Sequence, residues 1–292
     1  MSRLTRYKRA ISPVVTTLFL FGVILGAIAV TLGIVYPQLQ QLNDQMLLES
    51  AGSSLNSLDA NIQSLILNGE DSSFFTEIKM GTSGLLKYDN QILSSLDMVE
   101  TGVITPKISY NINIPRLMIV QGLDTNFLGK GEHQYFGGAG DQSTLYLNST
   151  TRRLLTWSVI NQSRPINSDD VSTSLQYRSI VSNQFDIIPN QLLYNLTVQI
   201  QMVNMTLASG SAASSSGARA TIEVKFLGSS NLVTDWTKFN DNAALKITTQ
   251  FPEAGSTNSI ERPLSAEKPV DPTASFYIRF EFVYHNIEIN IL

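Results

Sequence analysis

The chain has 292 residues, enough for one or two domains with a sizeable core. Hydrophobic residues make up 43% and charged ones 15%, a balance that excludes a disordered chain, and the absence of cysteine excludes disulfide frameworks, thiolate metal sites and cysteine nucleophiles. The net charge of −4 divides unevenly: residues 1–10 hold Arg3, Arg6, Lys8 and Arg9 and no acid, and the remaining 16 basic and 24 acidic residues stand at −8, which argues against a general nucleic-acid binder.

Four positive charges ahead of an apolar span hold that end in the cytoplasm and predict an external C-terminal part. From Val14 to Tyr36 there are 23 residues without a charge. As helix they would run ~35 Å, enough for a bilayer core of ~30 Å. Ser12 suits the N-cap, and Pro13 then falls at the first helical position, where its missing N–H costs nothing. Gly22, Gly26, Ala29 and Gly33 open small-residue notches through which another helix could approach. Pro37 cannot donate to the Gly33 carbonyl, so a kink is expected there. Beyond it Leu48, Ala51, Leu55, Leu58, Ile62 and Leu65 form a stripe on one helical face, and Asn68-Gly69 is a stop signal.

After Gly69 the pattern changes to period two. Alternating runs at 108–114, 196–202, 220–226 and 276–282 are the best strands, with shorter candidates near 74–79, 84–88, 132–136, 144–147, 153–160, 175–188 and 244–250. The fold class expected is α+β: a long kinked N-terminal helix, then a mainly antiparallel, β-sandwich-like domain over 69–292. Two runs change phase. Val203, Met205 and Leu207 are apolar on odd numbers after an even-numbered run, and Ile287, Ile289 and Ile291 do the same, which predicts a bulge or a strand passing between sheets. A bulge or sheet switch near Met202-Val203 would turn Asn204 outward and Met205 inward. ASGSAASSSG (208–217) reads as a hairpin tip, and 251–275 as a long Pro/Ser-rich connection facing solvent or a partner.

No catalytic constellation, cofactor motif or metal-ligand spacing is present, so the chain reads as a non-enzyme. His133 and His285 stand alone, as surface or edge-strand histidines. Gly81-Thr82-Ser83-Gly84-Leu85 has leucine where a nucleophile elbow requires glycine. GKGEHQYFGGAGD (129–141) lacks the ending of a phosphate loop and reads as turns around a short strand. Asp169-Asp170 and Glu132/Asp141 lack the spacing of a calcium loop and read as a solvated face. Four sequons, at Asn148, Asn161, Asn195 and Asn204, all fall on the expected outer side and are possible N-glycosylation sites.

Ala27-Ile28-Ala29 offers a site for a cleaved secretory signal, but the apolar run continues past it to Tyr36. Lys8-Arg9-Ala10 ahead of Ile11-Ser12-Pro13-Val14-Val15 instead resembles the N-terminus of archaeal type IV pilin-like proteins. In that family a short basic leader ending in Gly or Ala is removed on the cytoplasmic side by a prepilin-type membrane peptidase. The resemblance covers about residues 1–68 and implies a leader 1–10, cleavage between Ala10 and Ile11, and a hydrophobic stem 11–68, its membrane span about 14–36 and its amphipathic part 38–67. It implies self-association through the stem, with Ser12, Pro13, Gly22, Gly26, Gly33 and Pro37 at the packing surface, and the pilus assembly machinery as partner. Bacterial type IV pilins carry glutamate at the fifth mature position, where this chain has Val15, so any register between stems would rest on apolar packing. The expected function is a subunit, major or minor, of a cell-surface filament with a β-domain exposed for adhesion. The alternative is a single-pass anchored binding module that forms no filament.

Overall fold

The computed structural model describes residues 13–100, 102–123, 128–138, 146–148, 157–188, 193–240, 243–251, 256–264 and 275–292. It begins with α1 (Pro13–Val30), which passes through a π turn (Thr31–Val35) into α2 (Tyr36–Asn68) without a break in helical structure. Pro13 opens the helix, and the Thr17 hydroxyl donates to the Pro13 and Val14 carbonyls at 3.0 and 2.9 Å. The π turn lies directly ahead of Pro37, and the Tyr36 N–H reaches back five residues to the Thr31 carbonyl. Widening the turn is one way for a helix to pass a residue that lacks an N–H. The helix ends as expected: Gly69 takes a left-handed φ of 97°, and the Ser72 hydroxyl donates to the Gly69 carbonyl at 2.6 Å. The helix up to Met46 falls in one compact unit, and from Leu47 onward it belongs with the sheet.

Among the described residues twelve strands follow, joined in a single mostly antiparallel sheet. They are β1 (Ser73–Glu100), β2 (Ile108–Gly122), β3 (His133–Gly138), β4 (Tyr146–Asn148), β5 (Trp157–Ser163) and β6 (Asp170–Ile188). Then come β7 (Leu193–Leu207), β8 (Ser214–Val233), β9 (Thr237–Phe239), β10 (Ala243–Phe251), β11 (Ser256–Pro263) and β12 (Ser275–Ile291). The order is β11-β10-β1-β8-β12-β7-β6-β5-β3. Because β2 pairs with both β1 and β6, the path from β1 to β6 closes into a ring of six hydrogen-bonded strands.

All six ring strands send side chains to one core around α2. The stripe of Ala51, Leu55, Leu58, Ile62 and Leu65 packs there with Ile78 and Met80 of β1, Ile222 and Val224 of β8 and Ile289 of β12. Leu48, Leu55, Leu58, Ile62 and Leu65 are each at most 4% exposed. At ~1.5–3 kcal/mol for each large aliphatic buried, the stripe contributes on the order of 10 kcal/mol to holding helix and sheet together. A second core lacks the helix and gathers Ile92 and Leu96 of β1, Leu245 of β10, Leu196 to Ile200 of β7 and Phe276 to Phe282 of β12.

The phase changes mark the passage between these cores. On β7, Leu196, Val198, Ile200 and Met202 belong to the second core and Val203 and Met205 to the first. On β2, Ile108, Ile112 and Ile114 belong to the second core and Leu117 and Ile119 to the first. Neighbouring residues of a strand point to opposite faces, so the two cores lie on opposite faces of these strands. The bulge expected near Met202 is absent, since β7 and β12 pair in parallel without a break from Leu193↔Ser275 to Leu207↔Ile289. Met205 is buried as expected, but Asn204 stays on the face of Leu196 to Met202, half-buried, and donates to Asn286 Oδ1 at 3.0 Å. A β8 register shift opposite Asn286 and Ile287 does occur, beside Gly228 at φ 97°.

Three other expectations need correction. The strands at 74–79 and 84–88 are one element, continuing to Glu100, with register shifts between Lys79 and Gly84 and between Asp89 and Ile92. Residues 208–217 do not tip a hairpin, because β12 lies between β7 and β8. That connection clasps the end of β12 instead: Ile291 N–H donates to Ser211 Oγ at 2.8 Å, and Ala208 N–H to the Ile289 carbonyl at 2.8 Å. The 251–275 segment is not all connection, since β11 pairs along β10 at the sheet edge. Its polar side chains had masked a strand that needs only one partner.

Candidate functional site

Two regions carry functional features: the exposed part of the helix and the polar groups that fix the domain around α2. Between residues 14 and 46 the large apolar side chains lie open, from Val14 at 64% to Met46 at 68% exposure. This is one helix long and apolar enough to cross a membrane. The Thr17 and Thr31 hydroxyls donate to backbone carbonyls of the same helix, Thr31 Oγ1 to Ala27 at 2.9 Å, so they add little polarity to its surface. A Cβ built on Gly22, Gly26 or Gly33 would meet nothing within 4 Å, so among the described residues these notches are open. Lys8, Arg9, Ala10, Ile11 and Ser12 lie outside the described residues.

The helix–sheet interface contains a carboxylate that the stripe did not announce. Asp59, 6% exposed, accepts from Tyr177 Oη at 2.8 Å, Ser158 Oγ at 2.6 Å and Gln63 Nε2 at 2.9 Å. Burial foremost, then the Asp59 charge, pushes the Tyr177 phenol well above its ordinary range. Nearby, Gln162 Nε2 donates to the Leu48 carbonyl at 2.8 Å, and the Phe136 ring occupies the space that a Cβ on Gly52 would need. Two of these donors, Ser158 of β5 and Tyr177 of β6, come from the sheet and orient it against the helix, and Gln63 steadies the carboxylate from within α2. The sequence signal was faint: Asp59 stands one residue past Leu58 and four past Leu55, on the edge of the stripe.

The remaining candidates are dispersed. His133 lies edge-on to Tyr135, with ring centres 5.6 Å apart. His285 is neither at the surface nor on an edge: it is 2% exposed on β12 between β7 and β8, with Nδ1 2.9 Å from Ser229 Oγ. Burial lowers its pKa. Asp169 pairs with Lys130 at 2.8 Å, which holds its carboxyl below the usual range, and Glu132 accepts from the Gly129 N–H at 2.8 Å. Asp141 lies outside the described residues. Among the described residues no three His, Asp or Glu side chains group to hold a metal. The sequon residues Asn161, Asn195 and Asn204 sit half-buried on β5 and β7, and Asn148 is on β4.

Comparison with family models, with curated proteins and with solved structures returns no match.

Proposed function

We propose that this chain is a pilin-like subunit of a type IV pilus-like cell-surface filament, structural rather than catalytic, assembled through its N-terminal helix. The supporting observation is a contrast along one uninterrupted helix. Its apolar residues from Val14 to Leu42 are exposed among the described residues, whereas its stripe from Leu48 to Leu65 is buried against the sheet. A surface of that kind needs lipid or copies of itself, and each large aliphatic buried between copies would contribute ~1.5–3 kcal/mol relative to water. In this reading the helix is held in the plasma membrane before assembly, with the C-terminal domain outside. The stem bends at the π turn before Pro37, and the two cores give the domain a sandwich-like layering that faces outward for surface contact. A prepilin-type peptidase removes residues 1–10, and sequons on the external domain are open to glycan attachment.

The second reading, an anchored binding module without a filament, rests on the same helix. The mature N-terminus and the sheared cell surface separate the two. Peptide mapping that starts at Ile11, with the chain present in sheared filaments, supports the filament. An uncut leader, with the chain confined to membranes, supports the anchor.

A further inference from the structure

Where β2 and β7 approach one another at the switch between the two cores, they leave a half-open cleft of about 260 Å³. Tyr88, Asn90, Asn111, Asn113, Asn204 and Tyr284 line it, and no charged side chain does. We propose that this cleft is a binding subsite for a neutral saccharide.

The construction of the cleft is specific. Asn90 lies within the β1 irregularity between Asp89 and Ile92, and bulges commonly re-aim a side chain beside a site. The buried Asp89–Arg116 ion pair, 2.6 Å across the β1–β2 ladder, stands at the start of that irregularity. Tyr88 Oη donates to the Met205 carbonyl at 2.8 Å and ties β1 to β7 at the cleft wall. Asn204 spends an N–H on Asn286 Oδ1, which leaves its own carbonyl oxygen to accept. Asn90, Asn111 and Asn113 are exposed, and among the described residues none has a hydrogen-bond partner for its amide. Amides that both donate and accept match the vicinal hydroxyls of a sugar, and Tyr284, half-buried and stacked on Phe282 with ring centres 6.1 Å apart, adds an aromatic wall. The size is just under the ~300–1,000 Å³ of ordinary ligand pockets, which suits a sugar unit of a longer chain.

A peptide strand is the other neutral occupant to weigh. Insertion between β2 and β7 would need about 9–10 Å, two strand spacings. The two strands approach within 8 Å, Cα to Cα, so no strand fits where they converge. The absence of lining charge disfavours uronic or sialic acids relative to neutral sugars.

This inference names a ligand class for the outward-facing domain and rests on the proposed function only in that exposure. Detergent-solubilised full-length chain would be tested by saturation-transfer NMR and calorimetry against maltose, cellobiose, mannobiose and N,N′-diacetylchitobiose. Glucuronate and an extended Gly/Ser decapeptide serve as competitors. We expect at least one neutral disaccharide to bind with Kd near or below about 1 mM. Asn111→Ala/Asn113→Ala should weaken it about tenfold with an unchanged unfolding midpoint. Binding to none of the four, equal binding by the variant, or displacement by the decapeptide or glucuronate overturns the proposal. None of these outcomes touches filament formation, which is read independently from sheared cells.

Discussion

Tyr177 of β6 donates its hydroxyl to Asp59 of α2 at 2.8 Å, across 118 residues of sequence. Tyr177→Phe keeps the ring in the first core and leaves Asp59 Oδ1 without that donor, which should cost about 1–3 kcal/mol in denaturant unfolding. The pH dependence gives a second readout. The folded state raises the phenol's pKa above the unfolded value of about 10, so the stabilisation is complete below pH 10 and is lost as pH rises beyond it. The gap between wild type and Tyr177→Phe should therefore be constant from pH 7 to 9 and narrow above 10. A gap that widens at alkaline pH would mean that the hydroxyl is not held protonated by this site.

The Asp89–Arg116 pair, 3% and 8% exposed, stands at the point where β1 and β2 change cores. Arg116→Met leaves a buried carboxylate and should destabilise by about 3–5 kcal/mol. Adding Asp89→Leu should recover a large part of that loss, because the pair's own desolvation is removed as well. A double variant no better than Arg116→Met would show that the pair specifies the bulge and does more than balance charge.

His285 should make the domain sensitive to acid. Burial lowers its folded pKa below the ordinary value of about 6.5, so its neutral form contributes stability above pH 6.5 that is lost as pH falls through the folded pKa. Its Nδ1 faces Ser229, and Nε2 has no hydrogen-bond partner among the described residues, so a second N–H would be buried without an acceptor. His285→Phe should flatten the fall in unfolding midpoint between pH 7.5 and 5. An unchanged slope would assign acid sensitivity to other groups.

Period and parity made much of this fold legible in the sequence. The stripe from Leu48 to Leu65 needed only a 3.6-residue period, and every member is buried. The four best strands needed only alternation. The phase changes of β7 and β12 were visible as well, but their cause was not: apolar parity is blind to whether a strand has bent or its other face has been covered. Strand order was out of reach, because β12 enters between β7 and β8 from 68 residues beyond Leu207, and no local pattern encodes that partner. β11 was missed because an edge strand with one partner can be polar on both faces. The cleft was invisible for a similar reason. Asn90, Asn111, Asn113 and Asn204 are ordinary strand-surface amides in sequence, and only the convergence of β2 with β7 collects them.

The stem carries the prediction on which the filament reading turns. Gly22 and Gly26 are four residues apart, on one helical face, and among the described residues nothing lies within 4 Å of a Cβ at either. Gly26→Leu therefore meets no obstacle in the isolated subunit and keeps the helix long and apolar enough to insert. Between copies the added side chain would fill the notch, and overpacking of that kind costs ~1–3 kcal/mol at each contact. A filament repeats the contact in every subunit, whereas a lone helix in lipid never makes it. The variant should be expressed, cut ahead of Ile11 and membrane-inserted at wild-type levels, with its unfolding midpoint unchanged, yet be absent from sheared filaments. Gly69, equally open but at the helix end with φ 97°, provides the contrast: Gly69→Ala should cost stability through backbone strain and leave stem packing alone. Wild-type yields of filament from Gly26→Leu cells would remove the notch from the assembly surface. Membrane-bound wild-type chain with no filaments under several growth conditions would leave the anchored binding module as the function.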